Sequence, residues 1–396
     1  MTETARLSRS YAIWLIAVGQ LVGYASLYYS FAALIGVWRA EFDFPPGVLA
    51  AGLMVSTLLA AATAPFTGAL VDRGRAMGLM VCGPLVGVVS LGLLATSQTP
   101  WGYLLAWTVN GFAQSMFLYD VGFAFLVRRL GPDARSAIVR VTLVAGFAST
   151  LAFPAAALLS DGLGWRGTLW AAAAGLALIS PLNFLAVRHL RQGEVIIADL
   201  NRHQKHAARL AVRRPVFWIV ALVFALIALN HWMLITYFLP IVTGLGAAEK
   251  MAVIAASLVG PGQVAGRFLL MKAEQRLSNR AATVGVVSAM LLSSVLLSLA
   301  GAAPVLIFGF AVIQGAAGGI VTILKPVLIS EILGREGFGT IAGLVQLPAT
   351  IATALGPMLA AGLLAAAGVG AILLTSLVLV SIALSIVVFS GLGSRT

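Results

Sequence analysis

Apolar residues run along this chain in stretches of about 20 or more, separated by short polar joints that carry most of the Lys and Arg. At ~1.5 Å per residue, such a run makes a helix that crosses a hydrocarbon core of roughly 30 Å. The runs predict helices near 11–37, 47–70, 76–97, 102–127, 137–160 and 168–188, and again near 215–240, 250–271, 281–300, 304–328, 338–366 and 369–391. Short alternating strands of the membrane-barrel kind do not occur between them. The expected class is therefore all-α integral membrane, with twelve transmembrane helices. One long polar stretch, rich in Arg, His and Gln, divides the chain into an N-terminal six-helix bundle (1–188), a cytoplasmic central loop (189–214) and a C-terminal six-helix bundle (215–396).

Composition agrees with a bilayer as the solvent: 60% of residues are hydrophobic and 10% charged, against about a quarter charged in soluble domains. The net charge of +12 would suit nucleic acid if it formed one basic face. It lies instead between the apolar runs, where it sets orientation, so no nucleic-acid partner is expected. With the N-terminus inside, every Lys and Arg except Arg39, Arg166 and Lys250 falls at an inner loop or helix end. Both termini and the central loop are then cytoplasmic, in a multi-pass protein of the inner membrane. Arg6 to Arg9 followed by the run from Tyr11 imitates a signal peptide. That run is too long and lacks a small-residue cleavage site, so it reads as an uncleaved first helix. Cys82 is the only cysteine, which leaves no internal disulfide and no thiolate metal cluster; it reads as a small apolar helix residue.

Several chemistries are excluded. Nothing matches Gly-x-x-x-x-Gly-Lys-Ser/Thr, so ATP-driven pumping has no engine here. No Ser/His/Asp or His-Glu-x-x-His arrangement is present, and the 4 His and 13 acids lie mostly in loops. An enzyme is not expected, nor a cofactor or metal.

The two halves echo each other. The fifth helix carries Gly146 and then Pro154-Ala155-Ala156-Ala157-Leu158-Leu159; the eleventh carries Gly343 and then Pro357-Met358-Leu359-Ala360-Ala361-Gly362-Leu363-Leu364. Gly68 with Asp72-Arg73 after the second helix parallels Gly262 with Gly266-Arg267 in the eighth. Two six-helix repeats around a midplane site suit alternating access by rocking one half against the other.

The segment Gly68-Ala69-Leu70-Val71-Asp72-Arg73-Gly74-Arg75 resembles the cytoplasmic loop signature of the major facilitator superfamily, one residue short between Arg73 and Gly74. Gly68 permits close helix approach, and Asp72 can accept charged hydrogen bonds from a basic helix end, with Arg128 and Arg129 as the expected partners. Such a contact would close the cytoplasmic side in one state and break in the other; a static orientation signal is the plainer alternative. Gly164-Trp165-Arg166 resembles the family's short external turn, and Gly334-Arg335-Glu336-Gly337-Phe338-Gly339 its cytoplasmic counterpart. Gly146 to Thr150 with Pro154 resembles the family's flexing bend. The resemblance covers almost the whole chain and implies two pseudo-symmetric six-helix bundles.

Within the superfamily, Gly23-Tyr24-Ala25-Ser26-Leu27-Tyr28-Tyr29-Ser30-Phe31 resembles bacterial monocarboxylate-porter-like and oxalate-exchanger-like members. Gln263 and Arg267 sit four apart on one helix face. The resemblance implies an acid-x-x-x-Arg pair there, but Gln263 holds the acid's place, against proton-coupled lactate-type transport. Asn230 to Ile235 and Pro261 to Arg267 are similar to a proteobacterial branch of riboflavin and copper importers. The Met-x-x-x-Met and His-x-x-x-Met pairs of copper handling are missing, since Ile235 stands four after His231.

Ionisable groups inside a membrane cost several kcal/mol unless paired or hydrated. Asp120 and Arg140 lie at matching depths, which predicts a buried ion pair between their helices, with proton coupling at Asp120 as the functional alternative. Arg267 offers a planar fork for a carboxylate and Lys325 a point charge; either could snorkel to the inner interface instead. Lys325 precedes Pro326, where a hinge is expected. His231 beside Asn230 could titrate or simply pack. Tyr24, Tyr28, Asn110, Gln114, Gln314 and Gln346 lie on helices that line the family's central cavity, although Tyr rings also populate interfacial belts. The function these point to is secondary transport of a small organic anion with Arg267 as counter-charge. An aromatic vitamin stacked on Tyr24, Tyr28 and Trp232, and a solute sensor that binds without translocating, are the alternatives. The expected partners are the bilayer, a small solute and, as an open option, a coupling proton, in a monomer.

Overall fold

The computed structural model describes residues 3–44, 46–191, 208–273 and 277–391; most of the central loop, 192–207, lies outside them. The described residues form helices and no strand. In chain order these are α1 (Glu3–Leu27), α2 (Tyr29–Glu41), α3 (Pro46–Asp72), α4 (Ala76–Thr96), α5 (Pro100–Phe117), α6 (Tyr119–Leu130), α7 (Ala134–Ala145), α8 (Ala148–Arg191), α9 (Pro215–Thr236), α10 (Phe238–Gly244), α11 (Glu249–Ala273), α12 (Asn279–Leu299), α13 (Leu306–Ile332) and α14 (Phe338–Phe389).

Nine helical stretches among the described residues are long and apolar enough to cross a membrane. Two of them are too long for one crossing. α8 and α14 hold 44 and 52 residues, roughly twice what a ~30 Å core needs. Each is interrupted by a glycine in the left-handed region, Gly164 (φ 68°) and Gly368 (φ 73°), where a side chain would be strained. The pair α5–α6 supplies a further crossing, broken at Leu118. Twelve membrane passages result among the described residues, as the apolar runs predict.

Local signals explain several boundaries. Thr99 accepts a hydrogen bond from the Gly102 amide ahead of Pro100, and Ser278 accepts from the Ala281 amide, each filling a donor that a helix start leaves open. Two differences from the sequence-based boundaries matter. The first, fourth and seventh helices each break once, at Tyr28, Leu118 and Tyr237, none of which is a glycine or proline. At Pro326, where a hinge is expected, α13 runs on without a break. Gly146 and Phe147 do interrupt the fifth helix, between α7 and α8.

The chain folds as two compact units, Met1–Leu210 with Arg335–Leu344, and Ala211–Gly334 with Val345–Thr396. In the first, α4 packs on α5 and α8, and α1 on α7 and α8. Its core holds a cluster of edge-to-face rings: Trp38 lies 5.9 Å from Tyr103, 6.2 Å from Trp107 and 6.2 Å from Trp165, favourable arrangements for aromatic quadrupoles. In the second, α11 and α12 pack on α13. Gly262 and Gly266 of α11 meet Gly315 and Gly319 of α13 across that crossing. An added Cβ on Gly262 would sit 2.9 Å from the Val312 carbonyl oxygen, and one on Gly319 would overlap the Gln263 carbonyl. Small residues four apart on both helices let the backbones touch where lipid supplies no hydrophobic drive.

Candidate functional site

In the first unit, Asp72 ends α3 with only 5% of its surface exposed. Its carboxylate accepts from the Gly339 amide (2.9 Å), the Thr340 amide (2.9 Å) and the Thr340 hydroxyl (2.9 Å). These are first-turn donors of α14, so Asp72 serves as the cap and counter-charge of a helix distant in sequence. The approach needs glycine on both sides: a Cβ on Gly68 or on Gly339 would overlap the other's backbone, and one on Gly343 would lie 2.7 Å from Pro65 Cα. The start of α14 is a partner that the sequence-based expectation lacked. The hydrogen bonds to the carboxylate come from the start of α14, and Arg128, of the expected arginines, adds its charge beside it and donates through Nη1 to the Asp72 main-chain carbonyl. Arg129 is half-buried and Arg73 is exposed.

The expected Asp120–Arg140 pair is corrected. Arg140 donates to Ser136 (3.1 Å), and Asp120 is exposed. Matching depth on two helices did not mean facing sides.

Asn110 and Gln114 do come together. Gln114 Nε2 donates to Asn110 Oδ1 (2.7 Å) and Ser56 Oγ (2.9 Å), and Ser56 Oγ donates to Asn110 Oδ1 (3.0 Å). Tyr24 and Tyr28 belong to a row of rings, half-buried except for the buried Phe123 at its end. Tyr24 lies 4.5 Å from Tyr119 and 6.2 Å from Tyr28, Tyr119 stacks on Phe123 at 4.7 Å, and Tyr28 meets Tyr29 at 5.3 Å.

The second unit assembles its own polar groups. Gln314 Nε2 and His231 Nδ1 share a hydrogen bond of 3.2 Å. Ser293 donates to Gln314 Oε1 (2.7 Å), and Ser376 donates to Asn230 Oδ1 (2.7 Å) while bonding Ser294 (2.8 Å). Lys325 donates to Gln346, which donates on to Thr350 (3.2 Å). Arg267 is set apart. It is 5% exposed, its Nε is buried without a hydrogen-bond partner, and among the described residues no acid pairs with it. Gln263, one turn before it, is half-buried.

A pocket of about 390 Å³ lies elsewhere in the first unit, between Glu41–Phe44, Gln98–Pro100 and Arg166. None of the sequence-predicted substrate residues lines it. Ser56, Ser293, Ser294, Ser376, Gln20 and Thr340 escaped the sequence reading. Their signal was a hydroxyl or amide inside an apolar run, too frequent in membrane helices to single them out.

The sequence model described as Major Facilitator Superfamily matches residues 16–357. The chain belongs to the major facilitator superfamily. This superfamily member is accordingly a multi-pass membrane protein of a transporter family. Its fold is similar to the crystal structure of the human organic anion transporter MFSD10 (TETRAN), with a TM-score of 0.73, 17% identity, and 96% of this chain and 99% of that one covered. It is also similar to the proton:xylose symporter XylE bound to 6-bromo-6-deoxy-D-glucose, with a TM-score of 0.73, 12% identity, and 96% and 95% covered. A search of curated proteins returned no match. At these identities the likenesses establish the fold and leave the substrate to the chain's own residues.

Proposed function

We propose that this superfamily member is a secondary transporter of a small organic anion across the inner membrane, working by alternating access, with Arg267 as the counter-charge. The observation that carries this is the state of Arg267. A guanidinium nine-tenths buried in a membrane-spanning helix costs several kcal/mol unless an anion or a full set of acceptors meets it. This one has an orphan Nε and no acid beside it among the described residues, so an anionic solute that comes and goes completes it. The organic anion named for the structurally similar human protein is in keeping with this reading. The working units are the bundles 1–188 and 215–396, with both termini and the loop between them cytoplasmic, in a monomer. Release of Thr340 and Gly339 from Asp72 is the step that opens the cytoplasmic side.

A second reading, an aromatic vitamin-like solute, is favoured by the ring row from Tyr29 through Tyr28, Tyr24 and Tyr119 to Phe123. A thermal-stability screen of the detergent-purified protein against small carboxylates and flavins separates the two. At 100 times its Kd a ligand stabilises by about 2.7 kcal/mol. Stabilisation by a carboxylate that vanishes in Arg267→Gln supports the anion reading. Carboxylate stabilisation that survives Arg267→Gln, or stabilisation by flavins alone, sinks it. Counterflow of the stabilising compound in liposomes then distinguishes a carrier from a sensor.

A further inference from the structure

The first and fourth helices of the first unit break side by side. α1 gives way to α2 at Tyr28, and α5 to α6 at Leu118. A Cβ on Gly23 would lie 2.7 Å from the Phe117 ring and 2.8 Å from Leu118 Cδ2. The carbonyls just before the breaks are those of Leu27 in one helix and Phe117 in the other. Gln20 of α1 donates to the Phe117 carbonyl at 2.6 Å, and Gln114 of α5 reaches the Leu27 carbonyl at 3.5 Å. Each helix thus sends a glutamine to the carbonyl just before the other helix's break. Gln20 is 1% exposed, and its Oε1 has no partner. Burying an amide half-satisfied is unfavourable where an apolar side chain of the same shape would fit. The bond to Phe117 is what this residue contributes that methionine could not.

The breaks also frame the rings. Tyr24 stands one turn before the first break, and Tyr119 is the first residue after the second, with the two ring centres 4.5 Å apart. We propose that the two breaks are one joint, cross-tied by Gln20 and Gln114, and that Gln20 is a positioning residue that sets Tyr119 against Tyr24 through the Phe117 carbonyl. Gln114 is the weaker tie, because its amide is already held by Asn110 and Ser56 at shorter distances. The joint goes beyond the transport reading and does not depend on which solute is carried.

The test is amide hydrogen exchange on the detergent-purified full chain carrying Gln20→Met, which keeps the shape and removes the donor. Losing one net hydrogen bond should raise exchange of the 118–122 amides roughly fivefold to tenfold. The 28–31 amides should follow by the same direction of change, with the second unit unaffected. With 3-fluorotyrosine incorporated, the resonances of Tyr24 and Tyr119, assigned through Tyr24→Phe and Tyr119→Phe, should move together. Exchange that rises only around residue 20, or not at all, overturns the joint, as does a shift of Tyr24 without Tyr119. Should Gln20→Met fail to fold, Gln114→Met probes the joint from the other helix: faster exchange at both breaks supports it, and a change at one break alone refutes it. No ligand enters these measurements, so either outcome leaves the Arg267 screen to stand or fall by itself.

Discussion

Asp72 and Arg267 are both 5% exposed on membrane-crossing helices, and the protein treats them in opposite ways. Asp72 receives two amides and a hydroxyl, all at 2.9 Å, in a contact where glycines bring backbone against backbone. Arg267 keeps an orphan Nε beside a crossing equally rich in glycine. A buried charge whose oxygens are all filled by the protein's own donors holds together a contact of the protein with itself. One left short of acceptors destabilises its site until something else arrives. The same burial therefore reads as architecture at one place and, on the proposal above, as a solute site at the other.

The comparison is broken most forcefully at Gly339. A valine there would drive Cβ into the Gly68 backbone, which has no flexible end to swing aside. Gly339→Val should therefore cost at least about 3 kcal/mol, combining overpacking with loss of charged hydrogen bonds to Asp72. Thermal unfolding in detergent should show it, with fast amide exchange across 338–344. Gly362→Ala, on the same long helix with open space around it, should leave the midpoint nearly unmoved. Equal effects of the two substitutions would mean that the close approach is not what holds the start of α14.

Asp72→Asn asks about charge without changing shape. The amide retains one acceptor but turns an NH₂ toward donors. A loss of about 2 kcal/mol is expected, the range for hydrogen bonds to charged groups. Exchange at the Gly339 and Thr340 amides should rise with it. Protection unchanged from wild type would remove Asp72 as the cap of α14.

Arg267→Met supplies the opposite sign. Replacing a poorly satisfied buried charge by an apolar side chain is often neutral or stabilising by about 1 kcal/mol or more. The unfolding midpoint without solute should hold or rise, while stabilisation by carboxylates disappears. A fall comparable to that of Asp72→Asn would show that Arg267 is structural and would erase the contrast.

These sites were unequally legible in the sequence. The membrane passages were readable because run length against bilayer thickness leaves little choice, and Gly68, Asp72 and Gly339 stood out as motif residues on two separate loops. What the sequence withheld was their mutual contact: Asp72 looked for a basic side chain, and nothing in one dimension says that a helix start 267 residues away would present its amides. The breaks at Tyr28 and Leu118 were hidden for a related reason. Without glycine or proline, they are marked instead by Gln20 and Gln114 reaching across helices, tertiary contacts that local propensity does not record. Asp120 and Arg140 show the converse, since similar depth was legible and helix rotation was not. Gly262 and Gly266 faced Gly315 and Gly319 as their spacing allowed, because a four-residue period keeps small residues on one side of a helix.

Glu41 sharpens the comparison from its weak end, since its charge is well partnered yet open to water. Its carboxylate accepts from the Arg166 guanidinium and the Trp165 indole, and Arg166 in turn lies 4.2 Å over the Trp165 ring. The hydrogen bond from Arg166 outweighs a small desolvation cost and, with the Trp165 bond and the Arg166 charge, holds this carboxyl below its ordinary value of 4.5. A depressed folded pKa means that the group stabilises the fold above that ordinary value, and that the contribution fades as pH falls through the folded one. Both side chains are more than a third exposed, 39% and 45%, so solvent screening keeps the whole effect below about 1 kcal/mol. Protection of the amides from Glu41 to Phe44, taken relative to the intrinsic exchange rate at each pH, should therefore fall modestly between pH 6 and the acid side of about 4, and less so in high salt. Glu41→Gln should start nearer the acid level of protection and show no such fall. A pH effect as large as the loss in Asp72→Asn would mean that partnering alone, without burial, gives a charge its structural weight, and the contrast between Asp72 and Arg267 would then come down to their partners only.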